Sequence, residues 1–259
     1  SATGCRDGTA YGTGPKGRGI PACHSAEIRI GRQSDSGRRS TTSLAAQGTR
    51  ALPSPGEFIP LFERNGFIRK LDTYVFISVC QTIQKRLAQG KAVVPISVNV
   101  SRIHLYQEDF ADSYIAIKNQ YHIPDGIIEL ELTENILLKN TREIFTILEK
   151  LRSHGFCCSI DDFGSGYSSL NALKDLPVDV VKLDRVFFDQ SSHVERNKTI
   201  LKKHDQHWPR KLEYEVVAEG IECTQQLDML QDTGCDMVQG FIYAKPCSEE
   251  DFYHRVETE

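Results

Sequence analysis

Ser159-Ile160-Asp161-Asp162-Phe163-Gly164-Ser165-Gly166-Tyr167-Ser168-Ser169-Leu170 decides how this chain is read. A short apolar run over 156–160 ends in two adjacent carboxylates. Glycine, serine and glycine come next, and an amphipathic run follows. The pattern describes a buried strand whose C-terminal end delivers two acids to a loop before a helix begins. Acids at the C-terminal mouth of a strand are typical of metal-assisted sites in α/β folds. Taken alone, the same residues also suit an Asp-Asp turn in which one Asp caps the next helix. The neighbouring segments separate the two readings.

Strand and helix signals alternate on both sides of this stretch. Strands are predicted at 93–98, 127–132, 156–160, 178–183, 214–218 and 237–241. Helical patterns run from the Pro-rich start at 53–61 to about 87, then over 108–121 and 141–153. Further helices follow Tyr167, cross the 190s and 200s, and cover 224–232 and 248–257. Regular βα alternation implies a parallel sheet with helices outside it. Six strands fall two short of the eight that a closed barrel needs.

The 259 residues suffice for a single α/β barrel. A net charge of -4 and a pI near 6.1 give no electrostatic case for bulk nucleic-acid or membrane-surface binding. No apolar stretch is long enough to span a bilayer, and no charged-then-apolar signal opens the chain. The eight cysteines are scattered, and Cys157-Cys158 lacks C-x-x-C spacing. Buried free thiols in a reducing cytoplasm are therefore expected, rather than disulfides or zinc. Residues 1–51 differ in texture from 52–259. They are rich in Gly, Ser, Thr and Arg and nearly devoid of aliphatic periodicity, so they read as an irregular leader.

Polar residues gather at the ends of the predicted strands. The first ends in Ser97-Val98-Asn99-Val100-Ser101, and the second carries Glu129-Leu130-Glu131-Leu132-Thr133-Glu134. Alternation puts Glu129 and Glu131 on one face. The third gives Asp161 and Asp162, the fourth Lys182 and Asp184, the fifth Glu219 and Glu222, and the sixth Gln239. Each has an ordinary structural explanation: Asn99 capping a turn, Glu131 paired with a lysine, Lys182 on a strand's outer face. Together, at the same end of successive parallel strands, they converge on one mouth. Hard oxygen ligands of this kind suit Mg²⁺ or Mn²⁺ rather than zinc.

At these residues the chain resembles the EAL domain, the bacterial phosphodiesterase that linearises cyclic di-GMP. Seven motifs carry the resemblance, in order, over about four-fifths of the chain. They are Pro55-Gly56-Glu57-Phe58-Ile59-Pro60, Ser97-Val98-Asn99-Val100-Ser101, Glu129-Leu130-Glu131-Leu132-Thr133-Glu134, Asp161-Asp162-Phe163-Gly164-Ser165-Gly166-Tyr167, Val181-Lys182-Leu183-Asp184-Arg185, Val217-Ala218-Glu219-Gly220-Ile221-Glu222 and Gln239-Gly240-Phe241. The resemblance implies a TIM-like (β/α)8 barrel and Mg²⁺- or Mn²⁺-dependent hydrolysis of cyclic di-GMP to linear pGpG. By motif position, Asn99, Glu131 and Asp161 would bind a first metal. Asp161 and Asp162 would hold a second, with Asp161 bridging. Glu219 would be a metal ligand or the base for the attacking water, and Lys182 would position that water. Glu134 would brace the loop after Asp162, with Asp184 and Gln239 supporting the site near the nucleotide. A homodimer, a cytoplasmic location, and sensory or GGDEF-type domains N-terminal to this segment are further expectations of the family.

The E-A-L motif itself, followed by L-R, is absent. Its glutamate would be another metal ligand and its arginine a phosphate contact. Where it should stand, the chain reads Gly37-Arg38-Arg39-Ser40-Thr41-Thr42-Ser43-Leu44. Read one base later with permitted codons (CGA then AGC for Arg39-Ser40, ACT then TCG for Thr42-Ser43), these residues spell G-A-E-A-L-L-R-W. The same shift over 25–28 can spell Q-P-K-F, a typical first strand of the family. It also turns Lys203-His204-Asp205-Gln206-His207-Trp208 into the apolar S-M-I-S-I-G, just before the helix-breaking Pro209. Segments of roughly 11–50 and 204–210 are thus expected to be out-of-frame translations of an ordinary EAL gene. Restoring them would add two strands to the six. As written, the chain is expected to fold poorly and to be weakly active or inactive.

Two other functions compete with the enzyme. A degenerate EAL domain would bind cyclic di-GMP or a partner without cleavage. However, such domains tend to lose several acids, and this chain retains Asn99, Glu131, Asp161, Asp162, Lys182 and Glu219. A different metal-dependent barrel hydrolase is disfavoured by the seven ordered motifs.

Overall fold

The computed structural model describes residues 22–29, 38–44, 55–138, 141–164, 173, 176–185, 214–230, 235–243 and 247–258. The helices expected after Tyr167 and across the 190s and 200s lie outside these residues, as does the 204–210 segment. The described strands are β1 (Ala22–Arg29), β2 (Arg38–Leu44), β3 (Ile96–Val100), β4 (Ile128–Thr133), β5 (Cys157–Phe163), β6 (Val180–Leu183), β7 (Glu215–Ala218), β8 (Met237–Gln239) and β9 (Cys247–Ser248). The described α-helices are α1 (Pro55–Asn65), α2 (Ile68–Ala88), α3 (Arg102–Leu105), α4 (Phe110–Gln120), α5 (Thr141–Ser153), α6 (Thr224–Leu230) and α7 (Glu249–Thr258). A 3₁₀ turn over Glu134–Leu138 follows β4.

Strands β2 to β8 pair in parallel, in chain order. β1 runs antiparallel to both β8 and β2, which closes a ring of eight strands, and short β9 pairs with the outer part of β1. The α/β barrel class expected from the sequence is the observed one. Within the stretch that reads as an irregular leader, the backbone forms β1 and β2, which fill the two places left open by the six periodic strands.

The differences from the predicted elements have local causes. β3 begins at Ile96 rather than 93 because Pro95 has no N–H to give the ladder. β6 begins at Val180 rather than 178, where the Val178 amide turns back to donate to Leu176 O at 2.9 Å. The single helical pattern ending near 87 is two helices, parted where Gly66 takes φ 73° and ends α1. β5 continues through both aspartates to Phe163, and β8 stops at Gln239 before Gly240.

Burial on both sides of the sheet follows from this architecture. Outward residues such as Leu130, Leu132 and Ile160 join Phe76, Tyr114 and Leu148 in the main core between sheet and helices. The spacing of Ile144, Leu148 and Leu151 gives α5 its apolar stripe. Inside the ring, Val180, Val217 and Met237 form a smaller apolar cluster with Cys157 against it. Val217 is in register with both Lys182 and Met237, and Val180 stands two residues before Lys182 in β6. Of the cysteines, Cys80 and Cys158 are buried and Cys223 is exposed, and these three, with Cys157, Cys235 and Cys247, are free thiols. No helix among the described residues is long and apolar enough to cross a membrane.

Candidate metal centre at the barrel mouth

Strand register stacks the polar residues in layers inside the barrel. Asn99 faces Glu131, and Glu131 faces Ser159, in adjacent strands. One layer nearer the C-terminal mouth, Thr133 faces Asp161. One layer down, Ser97, Glu129 and Cys157 are in register.

The Asn99 carboxamide donates to Glu131 Oε2 at 2.8 Å. Lys182 Nζ donates to the other oxygen, Glu131 Oε1, and lies 3.3 Å from Glu219 Oε1. Lys182 is fully buried (0% exposed) and Glu131 nearly so, at 2%. A charge removed from water this completely survives only when it is paired, and Lys182 has a carboxylate on each side. The reading of Lys182 as an outer-face strand residue is thereby removed.

Asp161, Asp162 and Glu219 bring one carboxylate oxygen each within 4.8 Å of one another. Adjacent residues on a regular strand point to opposite faces, so two neighbouring aspartates would not normally serve one site. β5 escapes this rule. Its pairing with β6 shifts register between Ile160 and Phe163, and Asp162 takes φ 53° in the left-handed region. Aspartate tolerates that conformation, and such an irregularity re-aims a side chain. The Asp162 amide folds back to donate to Asp161 Oδ1 at 2.8 Å.

Burial pushes the Asp161 carboxyl up to about 6. The neighbouring Lys182 charge pulls against this, as does a hydrogen bond with Glu219, while the Asp162 charge reinforces it. An acid raised in this way is short of positive charge.

The remaining residues singled out from the sequence divide. Glu134 is buried, and its Oε2 accepts from Gly164 N at 2.8 Å, tying the 3₁₀ turn after β4 to the loop after β5. The loop beyond 164 lies outside the described residues. Gln239 accepts from Ile221 N through its backbone carbonyl at 3.2 Å. Asp184 is held at the end of β6 by its amide, 3.3 Å from Phe163 O. Glu222 does not join the cluster. It is exposed, its carboxylate lies 3.9 Å from Arg185, and its amide donates to Gln226 Oε1 at 2.8 Å.

The EAL domain family model matches residues 40–246. The chain belongs to the EAL domain family. Among relatives of this EAL domain, the cyclic di-GMP phosphodiesterase NbdA of Pseudomonas aeruginosa is 35% identical over 198 residues, which are 76% of this chain and 25% of NbdA. The bifunctional diguanylate cyclase/cyclic di-GMP phosphodiesterase MucR of the same organism is 33% identical over 77% of this chain and 29% of its own. The chain therefore spans little more than a quarter of the length of these relatives. The solved PaMucR phosphodiesterase in complex with c-di-GMP superposes with a TM-score of 0.75 at 28% identity, covering 89% of this EAL domain and 93% of that structure.

Three features of this EAL domain have no counterpart in the sequence reading. The bulge in β5 carries no pattern of its own. The buried Asp72 under the end of β3 is hidden inside a helical stripe. The close fit of Gly240 against Ile221, where an added Cβ would stand 2.0 Å from the Ile221 carbonyl oxygen, joins two loops distant in sequence. The glycine in Gln239-Gly240-Phe241 is the signal that marks this third feature.

Proposed function

We propose that this EAL domain is a divalent-metal-dependent phosphodiesterase that hydrolyses cyclic di-GMP to linear pGpG in bacterial second-messenger signalling. The observation carrying the proposal is the meeting of Asp161, Asp162 and Glu219 beside the buried Lys182. Three carboxylates this close repel one another, and the raised Asp161 carboxyl has room for more positive charge than Lys182 supplies. A hard divalent cation fits that donor set. The substrate is inferred from the names of NbdA and MucR and from the c-di-GMP complex of the latter.

Asn99, Glu131 and Asp161 would hold one cation, Asp161 and Asp162 a second, with Glu219 completing the set. Bound Mg²⁺ or Mn²⁺ would activate a water and neutralise charge on the phosphoryl group. Lys182 holds Glu131 and Glu219 in place and offers an N–H to orient that water. Glu219 is then placed to take the water's proton. Glu134 keeps the loop after β5 anchored at Gly164. Gln239 and Asp184 fix the loop ends around the nucleotide. Assembly as a homodimer, a cytoplasmic location and additional sensory or GGDEF-type domains in the complete protein belong to the same proposal.

One observation favours a second reading, in which the domain binds the dinucleotide without cutting it. β2 reads Arg-Arg-Ser-Thr-Thr-Ser-Leu and supplies no carboxylate to the ring. Incubation with cyclic di-GMP and Mn²⁺ separates the two. Linear pGpG that disappears with EDTA supports hydrolysis, whereas retention of intact nucleotide supports the binding module.

A further inference from the structure

Asp72 interrupts the apolar stripe by which α2 packs on the barrel, and it is completely buried (0% exposed). An aliphatic side chain would serve that stripe better, because a buried carboxylate is stabilised only by close donors. Its polar contacts come from one place. Asp72 Oδ2 accepts from the Ser101 amide at 3.0 Å and lies 3.4 Å from His104 Nδ1. Asp72 Oδ1 has no hydrogen-bond partner among the described residues. His104 is itself held edge-on against Phe110 and Tyr114, with ring centroids 5.0 and 5.4 Å away.

Ser101 is where β3 ends and α3 begins. It is extended, at φ -69° and ψ 143°, and its hydroxyl accepts from His104 N at 3.2 Å as the cap of α3. Two residues earlier stands Asn99, whose carboxamide meets Glu131. The carboxylate of Asp72 thus grips the backbone two residues beyond Asn99, at the turn that ends β3.

We propose that Asp72 is a positioning residue for Asn99, fixing through the Ser101 amide the end of β3 from which Asn99 presents its carboxamide, beside Glu131 of β4, to a shared divalent cation. The proposal rests on the metal-centre reading given above. Partners that orient metal ligands are typically worth about 10–100-fold in metal affinity.

The test is Mn²⁺ binding by titration calorimetry, with metal-free thermal midpoints measured alongside, on the full chain and on Asp72→Leu, Asp72→Asn, Ser101→Pro and Asn99→Ala. Asp72→Leu is expected to weaken Mn²⁺ binding about 10–100-fold while its metal-free midpoint does not fall. Asp72→Asn, whose carboxamide oxygen still accepts from Ser101, is expected to restore most of the affinity. Ser101→Pro keeps the backbone angle but deletes the donor together with the hydroxyl that caps α3, so its Mn²⁺ affinity should fall at least as far as that of Asp72→Leu, and the double variant should lose nothing more than Ser101→Pro alone. Wild-type Mn²⁺ affinity in Asp72→Leu overturns the proposal. If that variant does not fold, wild-type affinity in Ser101→Pro overturns it instead. Equal affinity in the wild type and Asn99→Ala would refute the metal centre itself, a failure distinct from that of Asp72.

Discussion

Asp161 has a carboxyl held near 6, against an ordinary value of 3.8, because the barrel mouth desolvates it. The sign of the consequence follows from linkage. A carboxyl raised in the folded state stabilises the metal-free protein fully below about pH 4, and this contribution is lost as pH rises through about 6. A divalent cation competes for the same oxygens with the proton. The thermal stabilisation given by Mn²⁺ is therefore expected to be small at pH 5 and to grow through pH 6 to 7, as read from paired melting curves. A stabilisation by Mn²⁺ independent of pH over that interval would remove Asp161 from the ligand set. Lys182 acts in the opposite direction, since its charge lowers the Asp161 carboxyl. In Lys182→Met the Asp161 titration midpoint should move above about 6, measurable by carboxyl carbon chemical shift. The presence of both residues is legible in the sequence as polar interruptions in apolar strands. Their mutual effect is not, because it depends on burial that only the packed ring creates.

At the scale of elements, the site is a set of loops held in register by backbone contacts. β7 delivers Glu219, whose amide donates to Leu183 O at 3.0 Å, and the loop that follows is stapled to β8. Ile221 N donates to Gln239 O at 3.2 Å, and Ile242 N donates to Ile221 O at 3.1 Å, which brings Gly240 onto the Ile221 backbone. There is no space for a methyl group there, with the Ile221 carbonyl oxygen 2.0 Å from where a Cβ would sit. Gly240→Ala is expected to push the 219–222 loop outward and to lower kcat far more than it raises KM. The cost in stability should be about 1–3 kcal/mol, the usual range for overpacking. Steady-state kinetics and denaturant unfolding check both parts, and unchanged kcat would show that the staple does not position Glu219. Among the described residues, the six strands expected along 93–241 and the helices at 110–120, 141–153, 224–230 and 249–258 were legible because the strands are apolar runs and the helices carry a 3.6-residue stripe. The β5 bulge was not, since it arises from mismatch between β5 and β6 rather than from residues 159–163 alone. Pro95 shifted the start of β3 by a mechanism that its own residue type announces.

Eight of the described strands close into a ring, and six of them declare themselves by composition while two do not. β2 lies between β1 and β3 in that ring, and a strand enclosed on both sides is ordinarily a run of Val, Ile and Leu. Its residues, Arg-Arg-Ser-Thr-Thr-Ser-Leu, include a single aliphatic. The conflict between local sequence and global place is of the kind that lowers foldability beyond any one contact. Reading permitted codons for 37–44 one base later would remove it, by replacing the polar run with G-A-E-A-L-L-R-W. It would also supply the glutamate and arginine that the site lacks. We expect the nucleotide sequence over 37–44 to contain E-A-L in that frame. The frame-restored chain, expressed beside the present one, should melt cooperatively at a higher temperature and hydrolyse cyclic di-GMP with Mn²⁺ at a rate at least tenfold greater, the mark of a gain of about 1.4 kcal/mol or more in transition-state stabilisation. Restoring a metal ligand should also tighten Mn²⁺ binding, which separates repair of the site from repair of the fold alone. Comparable Mg²⁺-dependent turnover in the two chains, or codons that do not spell E-A-L, would mean that β2 functions with the residues it has, and that Asn99, Glu131, Asp161, Asp162 and Glu219 are a sufficient ligand set.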